Sequence, residues 1–152
     1  CTVLANDLIE IDKDFLTNYN IKMVSLDELL QRADYISINC DLNPTSLGLV
    51  GEKQLRMMKP NTVLINCARG PIINNFDLAN ALENNIIKGA ALDVFEEEPL
   101  PSESPFLNID NIIMAPHNAN SSPSAWRRVH LLSIRNLLRG LDITDEYLET
   151  IE

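Results

Sequence analysis

The sequence predicts an α/β fold built on a parallel β-sheet. Short apolar runs alternate with segments of helical periodicity, which is the pattern of strands joined by crossover helices. Charged and polar residues come directly after several of the apolar runs. Because the carboxyl ends of parallel strands share one edge of the sheet, we expect these residues to line a ligand crevice at that edge.

Six strands and five helices are predicted, several of them from local start and stop signals. Ser25 begins a capping box that starts the second helix, and Pro60 stops the third. Pro123 suits the first turn of the last helix, with Ser121 or Ser122 as its cap. The predicted strands span residues 3–5, 21–24, 35–39, 62–66, 88–94 and 112–115, and the predicted helices span 12–19, 25–33, 51–58, 75–84 and 123–139.

Two of these elements carry a prediction about burial. Strand 35–39 is interpreted as lacking polar–apolar alternation, as expected when both faces of the sheet are covered. Helix 75–84 is predicted to present one apolar face to the core. That face is formed by Phe76, Leu78, Ala79 and Leu82.

Composition suits one globular domain and argues against several functions. The chain has 152 residues, of which 45% are hydrophobic and 22% charged, and its net charge is −10. That acidity argues against nucleic acids and anionic membrane surfaces, which attract basic patches. No apolar run approaches the roughly 20 residues of a membrane helix. The cysteines Cys1, Cys40 and Cys67 show neither metal spacing nor a disulfide framework, so we expect a reduced, cytoplasmic setting.

Three residues that follow predicted strands form a chemically coherent set. Arg69 comes after NTVLIN, Glu98 after KGAALDVF and His117 after NIIMA. An arginine can bind a carboxylate through two parallel hydrogen bonds, and a histidine titrates near neutral pH. A glutamate can orient the imidazole ring and favour its charged form. Each of the three residues alone could be an ordinary turn or loop residue, but together they favour a catalytic site. Gly70, next to Arg69, is expected to let the backbone pass close to a ligand.

The motifs around these residues resemble those of a known family. The stretch MKPNTVLINCARGPIINNFDLANALENNIIKGAALDVFEEEPLP, followed by NIIMAPHNA, is similar to the NAD-dependent D-isomer-specific 2-hydroxyacid dehydrogenases, which include phosphoglycerate dehydrogenase. The resemblance runs from about Val3 to about Leu138. It implies a Rossmann-like, doubly wound parallel sheet and an oxidoreductase that moves a hydride between NAD and C2 of a 2-hydroxy or 2-oxo acid. By position, Arg69 would bind the substrate, Glu98 would pair with the histidine, and His117 would be the acid/base.

The resemblance also implies a set of residues that contact the cofactor. Asp7 matches the aspartate that binds the adenosine ribose, and a carboxylate there favours NAD because it repels the 2′-phosphate of NADP. Taken alone, an aspartate after a strand is more often a turn or cap residue. Asp93 matches the aspartate that contacts the nicotinamide carboxamide. The loops along the cofactor would include Asn39, where many members have histidine, and also Cys67 and Ala68. The alternative for Cys67 is a small, half-buried residue that packs without contacting the cofactor.

The resemblance implies two segments, a partial NAD-binding domain over residues 1–140 and an acidic tail over residues 141–152. The domain's first strand, glycine-rich loop and first helix are not recognised, because none of the five glycines has G-x-G spacing. The family's separate substrate domain is not recognised either. We therefore expect this chain alone neither to bind NAD tightly nor to turn over, and we expect the parent protein to be a homodimer.

Three other interpretations stay open at this point. One is a related dehydrogenase acting on another small anion, such as formate or phosphite, although the formate type pairs its histidine with glutamine where this chain has Glu98. A second is a binding module, because corepressors that sense dinucleotide resemble this fold and keep the same three residues. The third is an inactive remnant.

Overall fold

The computed structural model describes residues 1–141 and contains the predicted strands and helices in the predicted order. Two compact units are present, Cys1–His117 and the segment that begins at Asn118. The strands are β1 (Val3–Ala5), β2 (Ile21–Met23), β3 (Tyr35–Ile38), β4 (Val63–Asn66), β5 (Gly89–Leu92) and β6 (Ile112–Met114), and the helices are α1 (Lys13–Asn18), α2 (Leu26–Arg32), α3 (Glu52–Met57), α4 (Asn75–Glu83) and α5 (Pro123–Gly140).

All of the strand pairs are parallel, and they form two sheets. The first sheet pairs β1 with β2, and the second has the order β3-β4-β5-β6. Parallel neighbours require a crossover connection, and here α2, α3 and α4 lie in the segments that connect the strands from β2 to β5. The predicted α/β, Rossmann-like fold is therefore confirmed.

The core lies between the four-stranded sheet and helices α2, α3 and α4, which contact one another in turn. Each fully buried aliphatic or aromatic side chain contributes about 1.5–3 kcal/mol relative to leaving it in water. This packing fixes the strand ends that carry the polar loops. The core side chains with almost no solvent contact include Leu30, Leu55, Leu64, Leu78, Leu82 and Phe106.

The prediction that both faces of the third strand are covered is wrong. Along β3, Ile36 and Ile38 are buried, whereas Tyr35 is 71% exposed and Ser37 is also exposed. The register places Ser37 in one row with Ile113 of β6, which is 72% exposed. Because successive side chains of a strand point to opposite faces, one face of this sheet packs on the helices and the other is open.

The predicted core face of the fourth helix is correct except at one position. Leu78, Ala79 and Leu82 are buried in α4, but Phe76 is 75% exposed. At 3.6 residues per turn, two positions apart means nearly opposite sides of a helix, so Phe76 and Leu78 cannot share a face.

Helix α5 begins where the sequence predicts. Of the two candidate caps, it is Ser122 whose hydroxyl oxygen accepts from the Ala125 N–H at 3.1 Å, and Pro123 occupies the first turn. None of the helix residues is buried, and Trp126 lies with its ring centroid 5.5 Å from that of His130. No helix within residues 1–141 is long and apolar enough to cross a membrane. Except for residue 141, the predicted acidic tail lies outside the described residues.

Candidate active site

The three candidate catalytic residues lie past the carboxyl ends of adjacent strands. Arg69 follows β4, Glu98 follows β5 and His117 follows β6. Because these strands are neighbours in one parallel sheet, their loops emerge at the same edge. The sheet order thus brings together residues that are up to 48 positions apart in the chain.

Glu98 and His117 are in direct contact. The Glu98 Oε2 atom lies 2.7 Å from Nδ1 of His117, and the other carboxylate oxygen accepts a hydrogen bond from the Phe95 N–H at 2.9 Å. With both oxygens engaged, the carboxylate has a defined orientation. It in turn fixes which ring nitrogen of His117 faces the protein, namely Nδ1.

The surroundings of Glu98 favour its charged form. Its hydrogen bond with His117 is the largest cause of a lowered pKa, followed by the hydrogen bond from Phe95 and the positive charges of His117 and Arg69. A carboxylate that stays ionised beside an imidazole stabilises the imidazolium.

The backbone at His117 adopts an unusual conformation. Its φ angle is +54°, in the left-handed region that few residues other than glycine occupy. The other non-glycine residues with positive φ among the described residues are Asn20 and Asn85, and asparagine tolerates this region well. Such conformations cost about 1–3 kcal/mol and cluster at functional sites, because the surrounding structure must over-determine them.

A buried asparagine organises the loop that carries Arg69. The Asn66 side chain accepts from the Ala68 N–H and donates to the Arg69 carbonyl oxygen, both at 3.0 Å. The Arg69 Nη1 atom donates to the Ala68 carbonyl oxygen at 2.6 Å. Asn66 was not among the predicted site residues. The sequence does contain a clue to its role, because it is a polar side chain at the end of an otherwise apolar strand, and a buried amide needs hydrogen-bond partners.

Gly70 is required by a close approach within the protein itself, a reason that the sequence did not predict. A Cβ atom at this position would lie 1.9 Å from the carbonyl carbon of Phe95 and 2.4 Å from the backbone nitrogen of Glu96. The loop after β4 therefore passes directly against the loop after β5. Through this contact Gly70 sets the position of Arg69 relative to the segment that leads to Glu98.

Glu96 caps the amino end of a helix, although its position in an acidic run predicts a solvated loop residue. The run Glu96-Glu97-Glu98 is typical of a solvated loop. In the structure the Glu96 Oε1 atom accepts from the Asn75 N–H at 3.1 Å, in the first turn of α4. It satisfies one of the unpaired donors at the amino end of that helix.

Four of the five candidate cofactor residues line two adjoining cavities. One, of about 520 Å³, is lined in part by Asn39, Cys67, Ala68 and Arg69. The other, of about 490 Å³, is lined in part by Asp7 and by Asn39, which both cavities share. Together they follow the carboxyl ends of β1, β3 and β4.

The chemistry of these walls fits a dinucleotide. The Asp7 Oδ1 atom accepts from the Ile9 N–H at 3.1 Å, which orients a carboxylate that can accept hydrogen bonds from ribose hydroxyls. The same cavity has an apolar wall that includes Leu8, Leu26 and Leu29, suited to a flat aromatic base. A carboxylate acceptor for the ribose hydroxyls and an apolar wall for the base fit an adenosine.

The remaining candidates lie apart from those cavities. Glu98 and His117 line a third cavity, of about 650 Å³, whose walls are otherwise mostly apolar. Asp93 lies directly past β5 and is only 5% exposed, and its backbone N–H donates to the Asn66 carbonyl oxygen at 3.0 Å. The structure thus brings Arg69 together with the candidate cofactor residues and Glu98 together with His117.

Comparison with known proteins agrees with this architecture. Residues 1–119 match the model of the family described as "D-isomer specific 2-hydroxyacid dehydrogenase, NAD binding domain". The chain is 43% identical over 122 residues to a glyoxylate reductase of Thermofilum pendens, covering 80% of the chain and 36% of that protein. It is 37% identical over 134 residues to a D-3-phosphoglycerate dehydrogenase of Methanocaldococcus jannaschii, covering 86% of the chain and 25% of that protein.

A solved structure shows the same relationship. The NAD-complexed D-isomer-specific 2-hydroxyacid dehydrogenase of Lactobacillus delbrueckii ssp. bulgaricus superposes with a TM-score of 0.78 at 26% identity, covering 95% of this chain and 47% of that one. The chain thus spans less than half the length of each of these relatives. NAD is the cofactor of the family whose model matches residues 1–119. On this sequence match and this fold, the chain belongs to the D-isomer-specific 2-hydroxyacid dehydrogenases, whose NAD-binding domain it resembles over most of its length.

Proposed function

We propose that this chain supplies the acid/base and cofactor-binding half of an NAD-dependent dehydrogenase that interconverts 2-hydroxy and 2-oxo acids. The observation that carries the proposal is the 2.7 Å contact between Glu98 and Nδ1 of His117. A histidine oriented by a carboxylate is the arrangement that moves a proton at a reacting oxygen. The relatives named as glyoxylate reductase and D-3-phosphoglycerate dehydrogenase support this class of substrate.

The proton chemistry follows from how the imidazole is oriented. With Nδ1 engaged by Glu98, Nε2 is the atom that donates a proton to the carbonyl oxygen of a 2-oxo acid, or removes one from the hydroxyl of a 2-hydroxy acid. Glu98 stabilises the imidazolium, since its own pKa is lowered and it stays ionised. The bound dinucleotide would supply the hydride to the substrate C2 as NADH or accept it as NAD⁺.

Substrate orientation is assigned to Arg69. Its guanidinium can bind the substrate carboxylate through two parallel hydrogen bonds and polarise the neighbouring carbonyl. Gly70 and Asn66 act as positioning residues, because they fix the backbone of this loop against the next one.

Cofactor binding is assigned to residues along the carboxyl edge of the two sheets. Asp7 would accept hydrogen bonds from the adenosine ribose, and its charge would disfavour the 2′-phosphate of NADP. Asp93 would face the nicotinamide carboxamide. The cavity walls at Asn39, Cys67 and Ala68 would lie along the dinucleotide. The family resemblance further supports a homodimer for the parent protein.

The proposal is tested with the protein that carries this chain and a panel of small acids. We expect NADH oxidation with glyoxylate, hydroxypyruvate or pyruvate, and the reverse reaction with the matching 2-hydroxy acid. NADH binding without turnover of any acid would favour a dinucleotide-sensing module instead. NAD reduction with formate or phosphite as the only reactive substrate would favour a dehydrogenase of that other type.

A further inference from the structure

We infer that Cys40 and Cys67 form a dithiol site that closes into an internal disulfide when the protein meets a disulfide oxidant. Both thiols are exposed, and both line the cavity of about 520 Å³ at the carboxyl edge of the sheet. Cys1, the third cysteine, is not among the residues that line this cavity. The chain therefore holds a pair of reactive groups and a separate thiol that serves as an internal control.

The strand register brings the two cysteines to the carboxyl ends of two neighbouring strands. Ile38 and Asn66 are Cα partners in the parallel pair of β3 and β4. Cys40 lies two residues past the first of these partners, and Cys67 lies one residue past the second. Neighbouring strands are about 4.8 Å apart, and a disulfide joins Cα atoms separated by about 4.4–6.8 Å. Continued by one residue, the register places Asn39 level with Cys67, so Cys40 lies one residue farther along, in a position neighbouring Cys67 across the two loops.

Both loops are anchored next to the cysteines. After β3, the Ser46 hydroxyl donates to the Asp41 carbonyl oxygen at 2.6 Å. After β4, the Asn66 side chain bonds the backbone on the far side of Cys67, at Ala68 and Arg69. These bonds hold the backbone beside each cysteine, and both cysteines line the same cavity.

Oxidised glutathione is sufficient as the oxidant. The thiolate of one cysteine attacks a glutathione sulfur, the glutathione disulfide breaks, and one reduced glutathione leaves. The thiolate of the second cysteine then attacks the protein sulfur of this mixed disulfide and releases the second glutathione. Two protons leave the cysteines, and the two electrons end on the two released glutathione thiols.

The bridge would cross the cavity that Ala68 and Arg69 also line. Oxidation would therefore narrow the space beside the guanidinium and hinder a ligand there. This consequence for catalysis rests on the proposed function, whereas formation of the disulfide does not. A failure of the enzymatic assay leaves the thiol chemistry to be judged by its own experiment.

The experiment is intact-mass and peptide-mapping analysis of the folded 152-residue chain after exposure to oxidised glutathione. We expect the chain to lose the mass of two hydrogen atoms within the Cys40–Cys67 pair and to yield one cross-linked peptide that contains both residues. Reduction with dithiothreitol should restore the original mass. Unfolding the chain in urea before oxidation should abolish the selectivity for this pair.

Serine variants at each cysteine complete the test. C1S should form the internal bridge as the wild type does, whereas C40S and C67S should each retain one glutathione on the remaining partner. The inference is overturned if wild-type chain and C1S carry one glutathione on each of Cys40 and Cys67 with no bridge. A bridge that involves Cys1 in the folded chain would overturn it equally, and the wild-type map decides even if a variant fails to fold.

Discussion

Two exposed acid–base contacts in this protein resemble each other in chemistry and differ in origin. On α3, Glu52 accepts from the Arg56 Nε at 2.9 Å, and both side chains are more than half exposed. At the sheet edge, Glu98 contacts His117 at 2.7 Å with 37% and 47% of the two side chains exposed. Each pairs a carboxylate with a nitrogen base near water, yet only the second combines with other structural constraints.

The pair on α3 is a consequence of local spacing. Residues four apart on a helix are neighbours, and such a pair contributes about 0.3–0.5 kcal/mol. The contact of Glu98 with His117 spans 19 residues and requires β5 and β6 to be adjacent. The Phe95 N–H fixes the carboxylate, and His117 has a positive φ angle. This combination of a long-range contact, a backbone hydrogen bond and a positive φ angle supports the catalytic role proposed for the pair.

The largest expected effect comes from removing the imidazole. In the protein that carries this chain, His117→Ala should reduce turnover of a 2-oxo acid by about 10²–10⁴-fold, the usual contribution of a positioned acid or base. The dissociation constant of NADH should stay nearly constant, because the imidazole acts at the substrate oxygen. Steady-state kinetics and fluorescence titration with NADH measure the two quantities. His130→Ala on α5 is the matched control, and equal losses of turnover and NADH affinity would contradict the assigned role.

The second effect concerns the contact that joins the two loops. Gly70→Ala forces a Cβ atom into the Phe95 backbone, so we expect the free energy of unfolding to fall by about 1–3 kcal/mol as the loops move apart. Urea denaturation followed by circular dichroism measures this change. A methyl group at Gly140 meets no atom within 4 Å, so Gly140→Ala should be neutral or slightly stabilising. Similar stability losses in both variants would argue against the close approach.

The third effect separates charge from shape. Glu98→Gln keeps the side-chain volume but removes the charge that stabilises the imidazolium, so turnover should fall by about tenfold, a modest factor because the pair is partly screened by solvent. Glu52→Gln on α3 should leave turnover unchanged. The comparison fails if the two variants behave alike in the same kinetic assay.

The smallest effect is a dependence of stability on pH. The pKa of Glu98 is lowered from its ordinary value of 4.5 in the folded protein, with the His117 contact as the main cause. Its stabilising contribution is therefore fully present above about pH 4.5 and is lost as the pH falls through the lowered pKa. Urea unfolding of wild type and Glu98→Gln should show a difference at pH 7 that shrinks on acidification. A difference that grows toward acid pH would show that the sign is wrong.

Most of the fold could be predicted from the sequence because its signals are local. Capping residues, prolines and apolar periodicity located each strand and α-helix of residues 1–141, although not the short 3-10 helices at Gly70–Ile72 and Pro105–Asn108, and Ser122 proved to be the cap of α5. The error at Phe76 lay in the assignment of the helix face, which the helical period alone corrects, whereas the error at Tyr35 concerns burial, which no local pattern encodes. Residues share a helix face only if their rotation angles about the helix axis are similar. The exposure of a strand face depends on which other elements cover it.

The candidate residues Arg69, Glu98 and His117 were also accessible to sequence analysis, because each follows an apolar run and belongs to a motif. Asn66, the Phe95 N–H and the reason for Gly70 were not. These contributions depend on distances between loops that lie far apart in the chain, and no local pattern encodes such distances.

By itself, therefore, the sequence determined the order of the elements, the parallel α/β class and the chemical groups available at the strand ends. Only the tertiary structure decided that Glu98 binds the Phe95 N–H as well as Nδ1 of His117, that the loop of Arg69 packs against the Phe95 backbone, and that two cysteines line one cavity. The physical reason is that helix and strand formation depends on neighbouring residues, whereas the pairing of β3, β4, β5 and β6 is fixed by packing of the whole core.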